Sequence, residues 1–253
     1  MKLYFAWAEN NSYQDVLNKM NVKRRLWSFY KLWKWIGRRY DWDFFLDSWA
    51  FSAYSVWAKI DIDEYIVYIK KYNIKQYACL DVIWDAEWTL KNQKYMESKW
   101  LNPIPTFHLW EDVSDFKKLL DYPYIWLWWM VPYAKQPEKI RKFLDYCFNY
   151  ILKNKLKVKC HGRWMTNPKF MIRYPFYSVD STGRLAASKF SSIPFFKNGK
   201  RIGIDAQNYR KQYGIDFCKL HYLDKTELSI KAYLQLEDYV TKLHQAKGME
   251  YRL

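Results

Sequence analysis

Glycine is the residue this chain lacks most. Only seven stand in 253 residues, about 3% where an average protein carries roughly 7%. No glycine-rich fingerprint follows an apolar run, which argues against a dinucleotide-binding fold. The four cysteines, Cys79, Cys147, Cys160 and Cys218, are scattered without a C-x-x-C pair, so neither a zinc knuckle nor a disulfide framework is indicated. Long apolar runs are missing as well. The longest, Tyr124 to Tyr133, has about half of the roughly 20 residues that a membrane span needs. The amino terminus, MKLYFAWAENN, turns polar too soon for a signal peptide. The expectation is a soluble, cytoplasmic protein with no membrane partner. Acidic residues are also scarce: 26 Asp and Glu face 42 Lys and Arg, leaving a net charge of +16. A domain this basic is expected to meet a polyanion, of which nucleic acid is the commonest.

Aromatic residues fill part of the gap. They make up 21% of the chain, too much apolar surface for a solvated coil. Tryptophan alone occurs 15 times. Trp42, in Tyr-Asp-Trp-Asp, and Trp100, in Ser-Lys-Trp-Leu-Asn-Pro, stand in turn-like contexts where glycine supplies positive φ without steric cost. Trp126, Trp128 and Trp129 crowd the end of one short apolar run. Some bacterial lineages read UGA as glycine, and translation under another code would print tryptophan there. We therefore expect many of these tryptophans to be glycine in the protein as its cell makes it. The aromatic excess accordingly carries no argument for base stacking.

Short apolar runs alternate with amphipathic stretches. The expected strands are Lys2–Ala6, Phe44–Asp47, Tyr77–Val82, Ile104–His108, Tyr124–Leu127, Leu156–Cys160 and Phe176–Asp180. Ile62, Tyr65, Ile66 and Ile69 form a helical stripe. Pro137 opens a second helix, with Ile140, Phe143, Leu144, Cys147, Phe148 and Ile151 facing inward. Strands apolar on both faces that alternate with helices imply a parallel α/β fold. The number of units implies a (β/α)8 barrel of the TIM type, short for one, whether complete or incomplete. Beyond about residue 190 the pattern changes to a carboxyl-terminal extension. Phe195 to Ile202 reads as a hairpin around an Asn198-Gly199 type I′ turn. Asp224 and Glu227 read as a capping box for a last helix running to about Leu243. With no internal repeat or linker, residues 1–253 are expected to form one domain.

Polar residues sit at the expected carboxyl ends of strands, where such barrels keep their active sites: Asp47, Asp81, His108, His161 and Asp180. Two mechanisms fit this set. In the first, Asp47 and Asp180 serve displacement at an anomeric carbon, one attacking and the other moving a proton. In the second, His108, His161 and one or two aspartates bind a metal that activates water. No tight ligand motif such as H-x-H or H-E-x-x-H favours the metal.

Four segments resemble, in order, the motifs of the tRNA-guanine transglycosylase (queuine/archaeosine tRNA-ribosyltransferase) family. Asp47-Ser48-Trp49-Ala50-Phe51 resembles D-S-G-[AG]-F, with Trp49 at a glycine. Tyr124 to Val131 resembles a glycine-rich strand end, with Trp128-Trp129 at a Gly-Gly pair. Lys159 to Met165 resembles the next strand end, G-x-G, with Trp164 at the second glycine. Phe176 to Ser181 resembles the strand bearing the nucleophilic aspartate. The likeness spans roughly residues 40 to 185 and lies nearest to short phage and plasmid members, some of which modify DNA.

The resemblance implies guanine exchange for a 7-deazaguanine-type base in tRNA or DNA. Asp180 would attack C1′ and form a covalent glycosyl-enzyme. Asp47 would act as general acid and base, Asp81 would accept hydrogen bonds from the base's amino group and N1–H, and Ser48 lies in the same motif. The backbone at Trp128 and Trp129 would line the base pocket, and His108 is a further pocket candidate without a family role. No cofactor is implied. The family's C-x-C-x-x-C…H zinc site is reduced to Cys218, so no zinc is expected. Homodimerisation stays open. The alternatives are a non-catalytic basic barrel that binds nucleic acid and, third, the metal-dependent hydrolase. Lys23-Arg24-Arg25, Arg38-Arg39 and Lys197 to Arg201 are candidate contacts to a phosphate backbone.

Overall fold

The computed structural model describes residues 1–6, 11–29, 43–48, 50, 59–128, 133, 135–165, 167–182, 193–204 and 206–249. In chain order, the elements begin with β1 (Lys2–Ala6), α1 (Asn11–Lys19), β2 (Arg25–Ser28), β3 (Phe44–Asp47), α2 (Ile62–Lys71) and β4 (Gln76–Tyr77). Next come α3 (Ala86–Ser98), β5 (Thr106–His108), α4 (Val113–Lys118), β6 (Tyr124–Trp128), α5 (Pro137–Lys153) and β7 (Lys159–Gly162). The last are α6 (Pro168–Arg173), β8 (Ser178–Ser181), β9 (Ile193–Lys197), β10 (Lys200–Ile204), α7 (Ala206–Tyr213) and α8 (Tyr222–Ala246). The fold is α/β. Strands β1 to β8 form a parallel sheet flanked by helices, an incomplete (β/α)8 barrel, and a hairpin and helices follow. Two compact units divide the chain: Lys23–Arg163, and Met1–Val22 with Trp164–Leu253.

In the unit Lys23–Arg163, β2 pairs in parallel with β3, and β3 with β4. An Ala78–Ile104 bridge leads on towards β5, which pairs with β6, and β6 with β7. Because every ladder is parallel, the carboxyl ends of these strands share one edge. Phe45, Phe107, Ile125, Trp126 and Leu127 are buried in its core. Helix α2 starts where the Asp61 side chain accepts from the N–H groups of Asp63 and Glu64, and it buries Tyr65, Ile66 and Ile69. Helix α5 starts at Pro137 and buries the expected stripe, except that Phe143 is only half-buried and stacks on Phe107.

The remaining unit pairs β1 with β8 in parallel, Lys2 opposite Ser178 through Phe5 opposite Ser181. The hairpin β9–β10 turns at Asn198 (φ 50°) and Gly199 (φ 71°), the two positive φ values that a type I′ turn demands. Gly199 has a second reason to be glycine: a Cβ there would lie 2.3 Å from Ile172 Cδ1.

Helices α1, α2, α3, α5 and α8 end in one motif. The residue after the cap takes a left-handed φ and bonds back three residues, and the next N–H bonds back five. Its occupants are Asn21, Asn73, Trp100, Lys155 and Gly248. Ten described residues have positive φ: three glycines, three asparagines, one lysine, and the tryptophans Trp84, Trp100 and Trp164. The large tryptophan side chain makes such a φ an outlier.

Several expectations are corrected. The run expected as Tyr77–Val82 keeps ladder bonds only as far as Ala78 N to Leu46 O and Cys79 N to Ile104 O (both 2.9 Å), because α3 takes over the backbone from Leu80 on. Asn92 Nδ2 donates to Leu80 O (2.8 Å), and Val82 N donates to Thr89 Oγ1 (2.8 Å). The strands expected from Leu156 and Phe176 start later, at Lys159 and Ser178. Strand β2 was not expected, since its Arg25 reads as part of a basic cluster. Arg25 is in fact fully buried and belongs to no surface patch, whereas Lys23 is exposed. Arg38 and Arg39 lie outside the described residues. No capping box opens α8: His221 Nδ1 accepts from Leu223 N (3.4 Å), Asp224 lies inside the helix, and Glu227 pairs with Lys19 and Lys231.

Candidate functional site

Five polar side chains meet at the carboxyl edge of the unit Lys23–Arg163. Asp47 ends β3, Ser48 follows it, Asp81 lies beyond β4, His108 ends β5 and Arg163 follows β7. All are buried to within 2% of full enclosure. Charges taken from water in this way need partners, and the partners fall into two linked groups.

The first is an ion pair between the Arg163 guanidinium and the Asp47 carboxylate. The Arg163 backbone N–H extends the β7 ladder to Leu127 O (3.1 Å). Its guanidinium lies 3.9 Å from the Trp128 ring centre and 5.4 Å from that of Trp126, within cation–π range. Trp128 is 1% exposed. Its indole therefore fills space beside the Arg163 guanidinium that glycine would leave open.

The second is a chain of hydrogen bonds through Asp81. Ser48 Oγ donates to Asp81 Oδ1 (2.9 Å), and His108 Nε2 bonds Asp81 Oδ2 (3.2 Å). On its other side, His108 Nδ1 bonds Glu111. The turn closed by Glu111 N and His108 O (3.0 Å) brings these last two side chains together. Trp110 stacks on the imidazole, with ring centres 5.1 Å apart. Burial alone would raise the Asp81 pKa, but the bond from His108, the charge of Arg163 and the bond from Ser48 outweigh it and hold it below the usual range. Burial alone would lower the His108 pKa, but its bonds to Asp81 and Glu111 outweigh that and raise it. His108 thus adds stability below its unfolded pKa of about 6.5, lost as pH rises through the raised folded value. Asp81 adds stability above its unfolded value of about 3.9, lost as pH falls through the lowered one.

Asp180 belongs to the other unit, at the third position of β8, and is fully buried. One carboxylate oxygen, Oδ1, accepts from the backbone N–H of Trp164 (2.9 Å). Trp164 does so from a left-handed backbone, φ 54°. Trp129, expected at the pocket, and Trp49, which the resemblance sets at a glycine, lie outside the described residues.

His161, a candidate for the metal reading, is packed in the core rather than presented at the edge. Its ring stacks on Trp126 (4.7 Å, 24°) and lies 5.3 Å from Phe45. Among the described residues, no group of three or more His, Cys, Asp or Glu side chains is arranged to hold a metal ion. No helix among them is long and apolar enough to cross a membrane. A cavity of about 270 Å³ lies against α3 and α4, lined by Gln93, Thr106 and Glu111 among others, and it reaches none of the strand-end aspartates.

Sequence reasoning missed Arg163 and Glu111. Arg163 carried no usable signal, because an arginine next to a strand end is ordinarily exposed and only tertiary structure brings it to Asp47. Glu111 carried none beyond its place three residues after His108. The chain matches no family model and no curated protein.

Proposed function

We propose that the protein is a guanine transglycosylase-like enzyme that exchanges guanine for a 7-deazaguanine-type base in tRNA or DNA. The observation that carries this reading is that each unit buries an aspartate at the carboxyl end of a parallel strand, Asp47 on β3 in one and Asp180 on β8 in the other. Asp180 attacks C1′, the C1′–N9 bond breaks, and guanine leaves with the bonding electrons. Asp47, after taking a proton from solvent against its ion pair with Arg163, passes that proton to the departing base. The incoming base returns a proton to Asp47 as its nitrogen attacks C1′ and frees the Asp180 carboxylate. Asp81 accepts from the donor edge of the base. The net charge of +16 attracts the polymer, and the target base leaves its stack before reacting.

A literal tryptophan at 128 opposes this chemistry, because its buried indole fills the space beside the Arg163 guanidinium that pairs with Asp47. The test is incorporation of labelled guanine into tRNA and duplex DNA. It compares the chain as written with a Trp49→Gly, Trp128→Gly, Trp129→Gly, Trp164→Gly variant. Incorporation by the variant, at least about a hundredfold above the unsubstituted chain, is expected if closure blocks entry of the base. A variant that folds, binds polymer in a salt-dependent manner and incorporates nothing would leave the non-catalytic binding protein as the better account.

A further inference from the structure

The clamp on His108 does something that the exchange chemistry alone does not require. One imidazole faces two carboxylates, Asp81 at Nε2 and Glu111 at Nδ1. A neutral ring has one N–H and can donate to only one of them, whereas imidazolium donates to both. Ser48 occupies the other Asp81 oxygen, and Arg163 is the further charge acting on Asp81. We propose that His108 and Glu111 are positioning residues, which together hold Asp81 ionised and fixed so that its remaining lone pairs take the N–H donors of the base. This inference rests on the exchange reading above.

Its first consequence is a pH profile. When His108 loses its proton, one of its two carboxylate bonds is lost and Asp81 is released, so KM for the base rises on the alkaline side. Glu111→Gln removes one carboxylate from the clamp but leaves an amide of similar shape. In this variant the alkaline rise in KM should begin at least about one pH unit lower, with kcat within about threefold, the pattern of lost ground-state binding.

The test combines this profile with NMR titration of the His108 ring, assigned by loss of its signal in His108→Gln. Both are done on the full chain carrying the glycine substitutions already given. The expected result is a His108 pKa above the ordinary value that falls in Glu111→Gln, together with the matching move in KM. An ordinary His108 pKa, or one that Glu111→Gln leaves unmoved, overturns the clamp. A pKa that moves while the KM profile stays still shows that the clamp is merely structural, and overturns the positioning role. A clamp that titrates as expected in a protein without exchange at any pH refutes the exchange reading, and the positioning role with it.

A different observation carries a second inference: the geometry points to glycine at positions 84, 100 and 164 in the protein as its cell makes it. Each of these tryptophans has a left-handed φ of 66°, 64° or 54°, a backbone that bulky L-residues rarely adopt. Trp84 is the third residue of the turn closed by Asp85 N and Val82 O (3.1 Å), the place where a type II turn takes glycine. Trp100 occupies the same helix-ending position as Gly248, and is 93% exposed, so its indole gains almost no packing in return. Tandem mass spectrometry of peptides from protein isolated from its native cells decides the point. Glycine at all three positions is expected, and tryptophan at them would overturn the inference. As an independent check on recombinant protein, Trp100→Gly should raise the urea midpoint of unfolding. An unchanged or lower midpoint would show that position 100 makes no demand for glycine.

Discussion

Asp180→Asn, introduced into the glycine-substituted chain, is expected to reduce base exchange at least about a thousandfold, the scale on which loss of a covalent nucleophile is felt. The substitution is nearly isosteric. Its amide oxygen can still accept the Trp164 N–H bond that now holds Oδ1 at 2.9 Å, so the local backbone keeps its anchor. What disappears is the negative oxygen proposed to attack C1′. Affinity for the polymer should change by no more than about threefold, because backbone contact by a basic surface supplies most of it. Measuring exchange and binding on the same preparation separates the chemistry from the fold. Exchange within a few-fold of the parent would remove Asp180 from the reaction.

Arg163→Ala is expected to destabilise the unit Lys23–Arg163 by about 3–5 kcal/mol, the usual effect of leaving one member of a buried ion pair without its partner. Asp47 would stay enclosed while its counter-charge is lost, and the Trp126 and Trp128 rings would lose the guanidinium packed on them. The second half of the prediction is the compensated variant. Arg163→Met combined with Asp47→Leu removes both charges at similar volume and should recover most of the lost stability. Urea unfolding followed by tryptophan fluorescence reads both effects. A double variant no more stable than Arg163→Ala would mean that packing around the guanidinium, rather than the charge of Asp47 without Arg163, carries the loss. The stable double variant should be catalytically silent, since it lacks the Asp47 proton shuttle.

How far the sequence led depended on whether a signal was local. The Asn198-Gly199 turn, the Ile62 to Ile69 stripe and the strand ending at Asp47 were legible because their causes lie within a few residues: paired positive φ, a 3.6-residue period, and an apolar run closed by a charge. Strand β2 was not legible. Its Arg25 reads as surface charge next to Lys23 and Arg24, and only tertiary burial shows otherwise. The segment after Cys79 was over-extended as a strand because the competitors for its backbone, Thr89 and Asn92 on α3, lie seven and twelve residues from the groups they bind.

At the site, Asp47, Ser48, Asp81 and His108 could be named from strand ends and motif likeness. Their linkage through Arg163 and Glu111 could not, because residues 47 and 163 are brought together only by the succession of parallel strands. The glycine deficit showed both strengths and limits of this kind of reading. Composition and context singled out Trp100 correctly as a position of positive φ. Trp84, in the turn after Asp81, was not singled out and became visible only through its backbone angle.

The central claim is that base exchange passes through a covalent bond to Asp180. The most direct measurement incubates the glycine-substituted chain with guanine-containing tRNA or DNA and 9-deazaguanine, denatures the mixture, and maps any surviving protein–nucleic acid adduct by mass spectrometry. The account predicts an adduct that resists denaturation, sits on the peptide containing Asp180, and is absent from Asp180→Asn. Polymer bound in a salt-dependent manner with no adduct, or with an adduct on another residue, would contradict it.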